Sequence, residues 1–418
     1  MGLSDAQIVR RRTIGRSADD RVAGFRILSL VSCLLPTATM RWPRHPAESV
    51  RPSRFRPPFC PWPACVAHRR SGKGFHRHGY YRKPSDPARI PRFICLDCKR
   101  TCSRQTFSTT YYLKRCELLV AVAAGLAACS AHRQIARSCQ CSKTSVTRMA
   151  ERLGRHAVLF HARCRNKLPL LTEAVVHDHF ETFIGRQDLA LGIGTAVGAD
   201  SWFVYDVDPA THRGSGRRPD RTPLTTGQVP FEWAYVRSIR RTFLGLIPLV
   251  SEKRKLVVRV DGRNDYRVAL RPAAIGSKVE LEIYPNPERG PKGSPRSREA
   301  RVRDFAMFPN DQLHQLLRHT CSEHKRETIA FGRRLESILG RAHLLAVWKN
   351  FIKARSERRP DRTTPAMRLG LTDTRWQWER VLSRRLFPAR EPLAPSARKL
   401  YAKRWSQGLP EFDRKHAA

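Results

Sequence analysis

Thr172-Glu-Ala-Val-Val-His-Asp-His-Phe-Glu-Thr-Phe183 decides how this chain folds. A β-branched apolar run ends in an acid, Asp178. Valine favours strands, and a buried strand carries a carboxylate only where it is paired, metal-bound or at the strand's end. Taken alone, Asp178 reads as a surface acid just past a strand. A second stretch of the same design, Lys255-Leu-Val-Val-Arg-Val-Asp-Gly262, changes the weight. Two strands that each deliver an aspartate, Asp178 and Asp261, at the carboxyl end point to a two-metal phosphoryl-transfer site.

Composition narrows the partners. The 418 residues suffice for two or three domains. Lys and Arg number 79 against 36 Asp and Glu, a formal net charge of +43. That excess goes beyond what solubility needs and speaks for a polyanion, with nucleic acid the first candidate. A structural RNA- or ribosome-binding protein with incidental acids is the rival class, and the two strand-end aspartates count against it. Of twelve cysteines, four fall in two close pairs, which fits metal binding in a reducing cytoplasm better than a disulfide framework. No apolar run reaches the ~18 residues of a membrane span, so no membrane partner is expected. Phe25 to Ala38 follows a basic segment in the manner of a signal peptide, but a cytosolic metal module and this charge argue against export. Met40 offers an alternative start, and residues 1–55 read as a disordered basic extension.

From the extension onward the chain divides into five parts. Residues 56–112 contain Cys60-Pro-Trp-Pro-Ala-Cys65 and Phe93-Ile-Cys-Leu-Asp-Cys98. Cys60, Cys65, Cys95 and Cys98 at this spacing can place four thiolates on Zn²⁺, with a β-hairpin between the knuckles. Cys102, His68, His76 and His78 compete for a ligand position. Residues 115–168 read as three helices. Ser130 is the expected cap of the second, and Ser142 caps a third that closes at Gly154. The third begins with Lys143, Thr144, Ser145, Thr147 and Arg148, the kind of N-terminal residues with which a helix-turn-helix contacts base edges. A plain three-helix bundle is the bland alternative.

Residues 170–355 alternate strand and helix. Strands are expected to end at Asp178 and to cover Leu189–Val197 and Trp202–Val207. The glycines of Leu191–Gly198 lie in a strand pattern and are not a dinucleotide loop. An inserted loop at 212–227, a helix from Trp233, the strand ending at Asp261, a helix from Asp265 and a strand at Val279–Tyr284 follow. Pro309-Asn-Asp311 opens a long helix reaching about Arg355, with Asn310 as its cap. This order is that of an α/β RNase H-like domain with a mixed sheet. There the two strand-end acids lie side by side, and a third acid comes from the long helix. Mg²⁺ or Mn²⁺ on such carboxylates activates one oxygen and stabilises another. Asp311, Glu323, Glu327 and Glu336 are the candidates. At ~100° per residue they cannot share one face, and Asp311 shares its own with His314 and Arg318. Residues 356–418 form a basic tail, suited to DNA binding or dimerisation, or poorly ordered.

The cysteine pairs, followed by Arg100-Thr-Cys-Ser-Arg-Gln-Thr-Phe107, resemble the zinc ribbon of bacterial insertion-sequence DDE transposases. In that family a helix-turn-helix and a catalytic domain follow. Arg318 and Arg326-Glu-Thr-Ile-Ala-Phe331 resemble the family's R…R-x-T-x-x-F segment, which sets the third acid at Asp311. The family usually has glutamate there. The resemblance implies a transposase acting on double-stranded DNA, at element ends and at the target, by Mg²⁺-dependent cleavage and strand transfer. It implies Asp178, Asp261 and Asp311 as metal ligands, Arg318 on the DNA, a homo-oligomer, and a bacterial, nucleoid-associated location. A catalytically inactive, transposase-derived regulator is the alternative within the family.

Overall fold

In the computed structural model, residues 55–404 are described apart from 71, 73, 84–85, 212–230, 289–290, 292, 326–327 and 358–360. The N-terminal extension up to residue 54, the inserted loop, Glu327 and the end of the tail lie outside the described residues.

The first module is a small sheet. β1 (Phe75–Lys83) and β2 (Asp86–Cys95) form the expected antiparallel hairpin, and β3 (Thr101–Ser103) adds to β2. Three helices follow: α1 (Leu118–Ala127), α2 (His132–Ser138) and α3 (Lys143–Arg165). Val122, Leu126, Ile135, Val146 and Met149 are buried where they meet. Ser142 caps α3, its Oγ accepting the Ser145 N–H at 3.1 Å. Two expectations fail here. Ala131, not Ser130, is the N-cap of α2. The Ser130 carbonyl instead accepts from Arg341. α3 does not close at Gly154 but runs on to Arg165. Gly154 is there for a close approach: a Cβ on it would sit 3.0 Å from the Cα of Gly340.

The second sheet has five strands in the order β6–β5–β4–β7–β8. β4 (Val175–Ile184), β5 (Arg186–Gly198) and β6 (Val204–Thr211) are an antiparallel meander. β7 (Leu256–Val260) and β8 (Val279–Ile283) run parallel to β4. Strand β4 does not stop at Asp178. β5 pairs along its whole length, so backbone hydrogen bonding carries it to Ile184.

Period-two alternation assigns the faces of the sheet. His177 and His179 point to α4 (Phe231–Leu246) and α5 (Asn264–Leu270), where they meet Phe243, Tyr235 and Tyr266. Phe180 points the other way, onto His314 of α7 (Arg298–Thr320). On that side α8 (Leu335–Phe351) also covers β6, and α3 packs behind α8.

Helix α7 corrects a further expectation. Pro309 lies inside it rather than opening it, and Asn310 is fully buried rather than a cap. Its amide exchanges hydrogen bonds with Thr195, Oδ1 accepting the hydroxyl at 2.7 Å and Nδ2 donating to the carbonyl at 3.4 Å. A buried amide needs such partners, and here β5 supplies them. Nor is the helical region continuous to Arg355, because a 3-10 turn (Ser322–His324) and the non-helical residues 328–334 come between α7 and α8.

The tail is not loose between Asp361 and Arg404. α9 (Pro365–Arg368), α10 (Trp378–Val381) and α11 (Pro395–Tyr401) bury Trp378, Val381, Leu382, Leu386 and Leu400. Phe387 then reaches the first module, 5.1 Å from Phe59 and 5.6 Å from Phe107 between ring centroids. Arg385 N–H donates to the Phe107 carbonyl at 2.8 Å and Arg390 to that of His68.

Candidate metal centre and acidic site

The sulfurs of Cys60, Cys65, Cys95 and Cys98 all lie within 4.8 Å of one another. Cys60 and Cys98 are 3.6 Å apart, and Cys65 and Cys95 3.8 Å. A tetrahedron with Zn–S bonds of ~2.3 Å has edges of ~3.8 Å, whereas a disulfide needs ~2.05 Å. The arrangement is thus compatible with a zinc ion and incompatible with disulfides. The backbone N–H groups of Trp62, Ala67 and Arg100 point at the sulfurs of Cys60, Cys65 and Cys98, two residues earlier in each case. Those dipoles favour thiolate, while burial pushes the Cys60 thiol up. A cation is the group that resolves this opposition, because it binds the thiolates directly.

The competing ligands fall away. Cys102 is buried with Phe93, Phe107 and Phe387, its thiol pushed up to about 12 by burial. His68 is not among the clustered groups, and its Nδ1 lies 2.7 Å from the Cys60 carbonyl oxygen. His76 and His78 are exposed on β1.

The acids meet on the other sheet. β4 and β7 are parallel with Val176 opposite Arg259. Continuing that register two residues on brings Asp178, on the face where α7 lies, level with Asp261 just past the end of β7. Gly262, at φ +88°, then turns the chain out of β7. The Asp178 side chain is only 19% exposed. Its carboxyl is pushed up to about 7, first by burial, then by the charge of Asp261 and, more weakly, that of Asp311. The His179 N–H, 2.7 Å from Oδ1, and Arg303 oppose the rise. Asp178 therefore feels the charge of both other expected acids. The three acids are also spread: among the described residues, only the four cysteines place three or more donor atoms within 4.8 Å of one another.

Each acid has a local holder. Asp261 Oδ1 accepts the Arg263 N–H at 3.2 Å. Asp311 forms an ion pair with Arg303, eight residues earlier on α7. His314 sits between α7 and the sheet, with Nδ1 3.8 Å from Asp178 Oδ2 and Nε2 2.9 Å from Thr195 Oγ1. Burial and Arg318 push its pKa down to about 3, so the ring is neutral. Arg318 is exposed and lies 4.7 Å over the Phe180 ring. Arg263 stacks 4.2 Å over Tyr235 and pairs with Asp265 at 3.0 Å.

Two other candidates for the third acid, Glu323 and Glu336, lie elsewhere. Glu323 is buried in an ion pair with Arg341 at 2.7 Å. Glu336 lines a cavity between α3 and α8 with Arg155 and Arg334. Sequence reasoning missed Arg303 and the Thr195–Asn310–His314 network. Only the His314 spacing hinted at the network, since threonine and asparagine in a strand or helix advertise nothing.

The helix residues expected to face DNA are on the surface at the start of α3. Lys143, Thr144 and Arg148 are exposed, and Ser145 and Thr147 half-buried. Thr147 Oγ1 bonds the Lys143 carbonyl at 3.0 Å and lies 3.1 Å from His132 Nδ1, tying α3 to α2. Among the described residues no helix is long and apolar enough to cross a membrane. Neither protein-family models nor curated proteins match this chain.

Proposed function

We propose that the chain is a DDE-type DNA transposase with an RNase H-like catalytic domain, in which Asp178, Asp261 and Asp311 hold Mg²⁺ or Mn²⁺. The observation that carries this reading is electrostatic. Asp178 of β4 is pushed up to about 7, after burial, by Asp261 beyond β7 and Asp311 of α7. A half-buried carboxyl raised by two neighbouring acids is an unfavourable arrangement unless a proton or a cation is bound, and oxygen donors suit a hard divalent cation. The strand order and the parallel register beside a meander support the same fold. Cations there would activate the attacking oxygen and stabilise the leaving oxygen of a phosphodiester.

The chain's own residues have separate tasks in this reading. Arg303 neutralises Asp311 and must release it when the site loads. Neutral His314 braces Asp178 without adding charge. Arg318, exposed beside Phe180, would hold a phosphate, which positions DNA but does not specify sequence. The exposed start of α3 would read the terminal repeats. The Arg303–Asp311 pair also favours a second reading, a silent DNA-binding regulator whose third acid is permanently blocked.

One experiment separates them. Zinc-loaded full-length protein is given labelled duplexes from the ends of its own genetic element, a plasmid target and Mg²⁺. The enzyme reading predicts 3′-OH joining by the wild type and none by Asp261→Ala, with end binding retained by both. Binding without joining in the wild type would leave the regulator.

A further inference from the structure

The surface of the first module carries a cavity of about 450 Å³ that the proposed reaction does not use. Tyr81, Arg92, Thr101, Ser103, Gln105 and Tyr112 line it. Tyr112 is unusual twice over. The residue is 82% exposed, and its backbone sits at φ +60°. A non-glycine residue in the left-handed region is uncommon and carries a cost in strain. No packing of Tyr112 into a core offsets that cost.

The neighbours hold the ring in place. Tyr111, also in the lining, lies 4.4 Å from Tyr112 between centroids at 69°. Arg385 of the tail stacks 4.9 Å from the Tyr111 ring, so the pair is buttressed from behind. The Tyr81 hydroxyl is 3.1 Å from Ser103 Oγ. A π-face is therefore presented to solvent beside hydroxyls, an amide and a guanidinium, in a chain of net charge +43.

That combination matches one ligand chemistry. A stacked base pair hides its faces and offers only edges, whereas an unpaired base offers a face for stacking and an edge for hydrogen bonds. We infer that the Tyr81–Tyr112 cavity binds an unpaired nucleobase of single-stranded or frayed DNA, stacked on Tyr112. Gln105, Thr101 and Thr106 offer donors and acceptors for the base edge, and Arg92 is placed for the adjoining phosphate. This rests on the DNA-binding reading above.

The test uses the zinc-loaded full-length chain, since Tyr112 is exposed and its replacement leaves the core intact. Binding of a fluorescein-labelled single strand, and quenching of 2-aminopurine within it, are measured for wild type, Tyr112→Ala and Tyr112→Trp. The expected result is about 5- to 100-fold weaker single-strand binding and lost quenching for Tyr112→Ala. Duplex binding should be unchanged, and Tyr112→Trp should retain both signals. Unaltered single-strand affinity and quenching in Tyr112→Ala, with duplex binding present, would overturn this inference alone. Failure of the wild type to bind either DNA would overturn the DNA-binding reading as well.

Discussion

Asp261→Asn should stabilise the zinc-loaded, Mg²⁺-free protein at pH 8 and leave it unchanged at pH 5. Asp178 is raised from an ordinary value of 3.8 to about 7 in the folded chain. An acid whose folded pKa is raised binds its proton more tightly when folded, so stability falls as pH rises from about 4 to about 7. Roughly three pH units at ~1.36 kcal/mol each is ~4 kcal/mol lost by pH 8. Burial is the larger cause and Asp261 the second. Its share is the smaller of these two, on the order of 1–2 kcal/mol. Asparagine keeps the oxygen that accepts the Arg263 N–H, so the turn survives. Calorimetry of zinc-loaded protein without other divalent ions should find the variant melting ~2–4 °C higher at pH 8. At pH 5 Asp178 is protonated in both forms, and the gap should close. Adding Mg²⁺ should raise the wild-type melting temperature and not that of the variant. A variant that melts lower at pH 8, or gains equally at both pH values, would refute the proximity of these two carboxylates.

Three further outcomes follow from the packing. Cys98→Ser should lower bound zinc from one equivalent per chain and expose the first module to proteolysis, read by a metallochromic dye and limited trypsin digestion, because three thiolates hold zinc far less tightly than four. Gly154→Leu should destabilise the chain by ~1–3 kcal/mol in urea titration, since any side chain there meets the Gly340 backbone at 3.0 Å. Arg341→Met leaves Glu323 buried without its ion-pair partner, and it should cost ~3–5 kcal/mol in the same titration.

Patterned stretches were the legible part of this fold. The two cysteine pairs, the valine-rich strands before Asp178 and Asp261, and the Ser142 cap announce themselves because short-range rules create them. The mixed sheet and the cysteine cluster are where that reading placed them. Helix ends were less legible. Gly154 looked like a stop signal, but its missing side chain serves contact with Gly340. Pro309 and Asn310 looked like a start, but Thr195, distant in sequence, satisfies the asparagine within the helix. The tail was opaque because four- to seven-residue helices show no periodicity, and Phe387 finds its partners only in three dimensions. In the acidic site, Asp178 and Asp261 carried a strand signal, whereas Asp311 could be told from Glu323 only by its place on α7 and by Arg341, which claims the other acid.

The most direct test is where a divalent cation sits. Crystals of the zinc-loaded chain soaked in Mn²⁺, measured at the manganese edge, should give anomalous density among the carboxylates of Asp178, Asp261 and Asp311, with Arg303 withdrawn from Asp311. Density elsewhere, or none there at millimolar Mn²⁺, would contradict the proposed site.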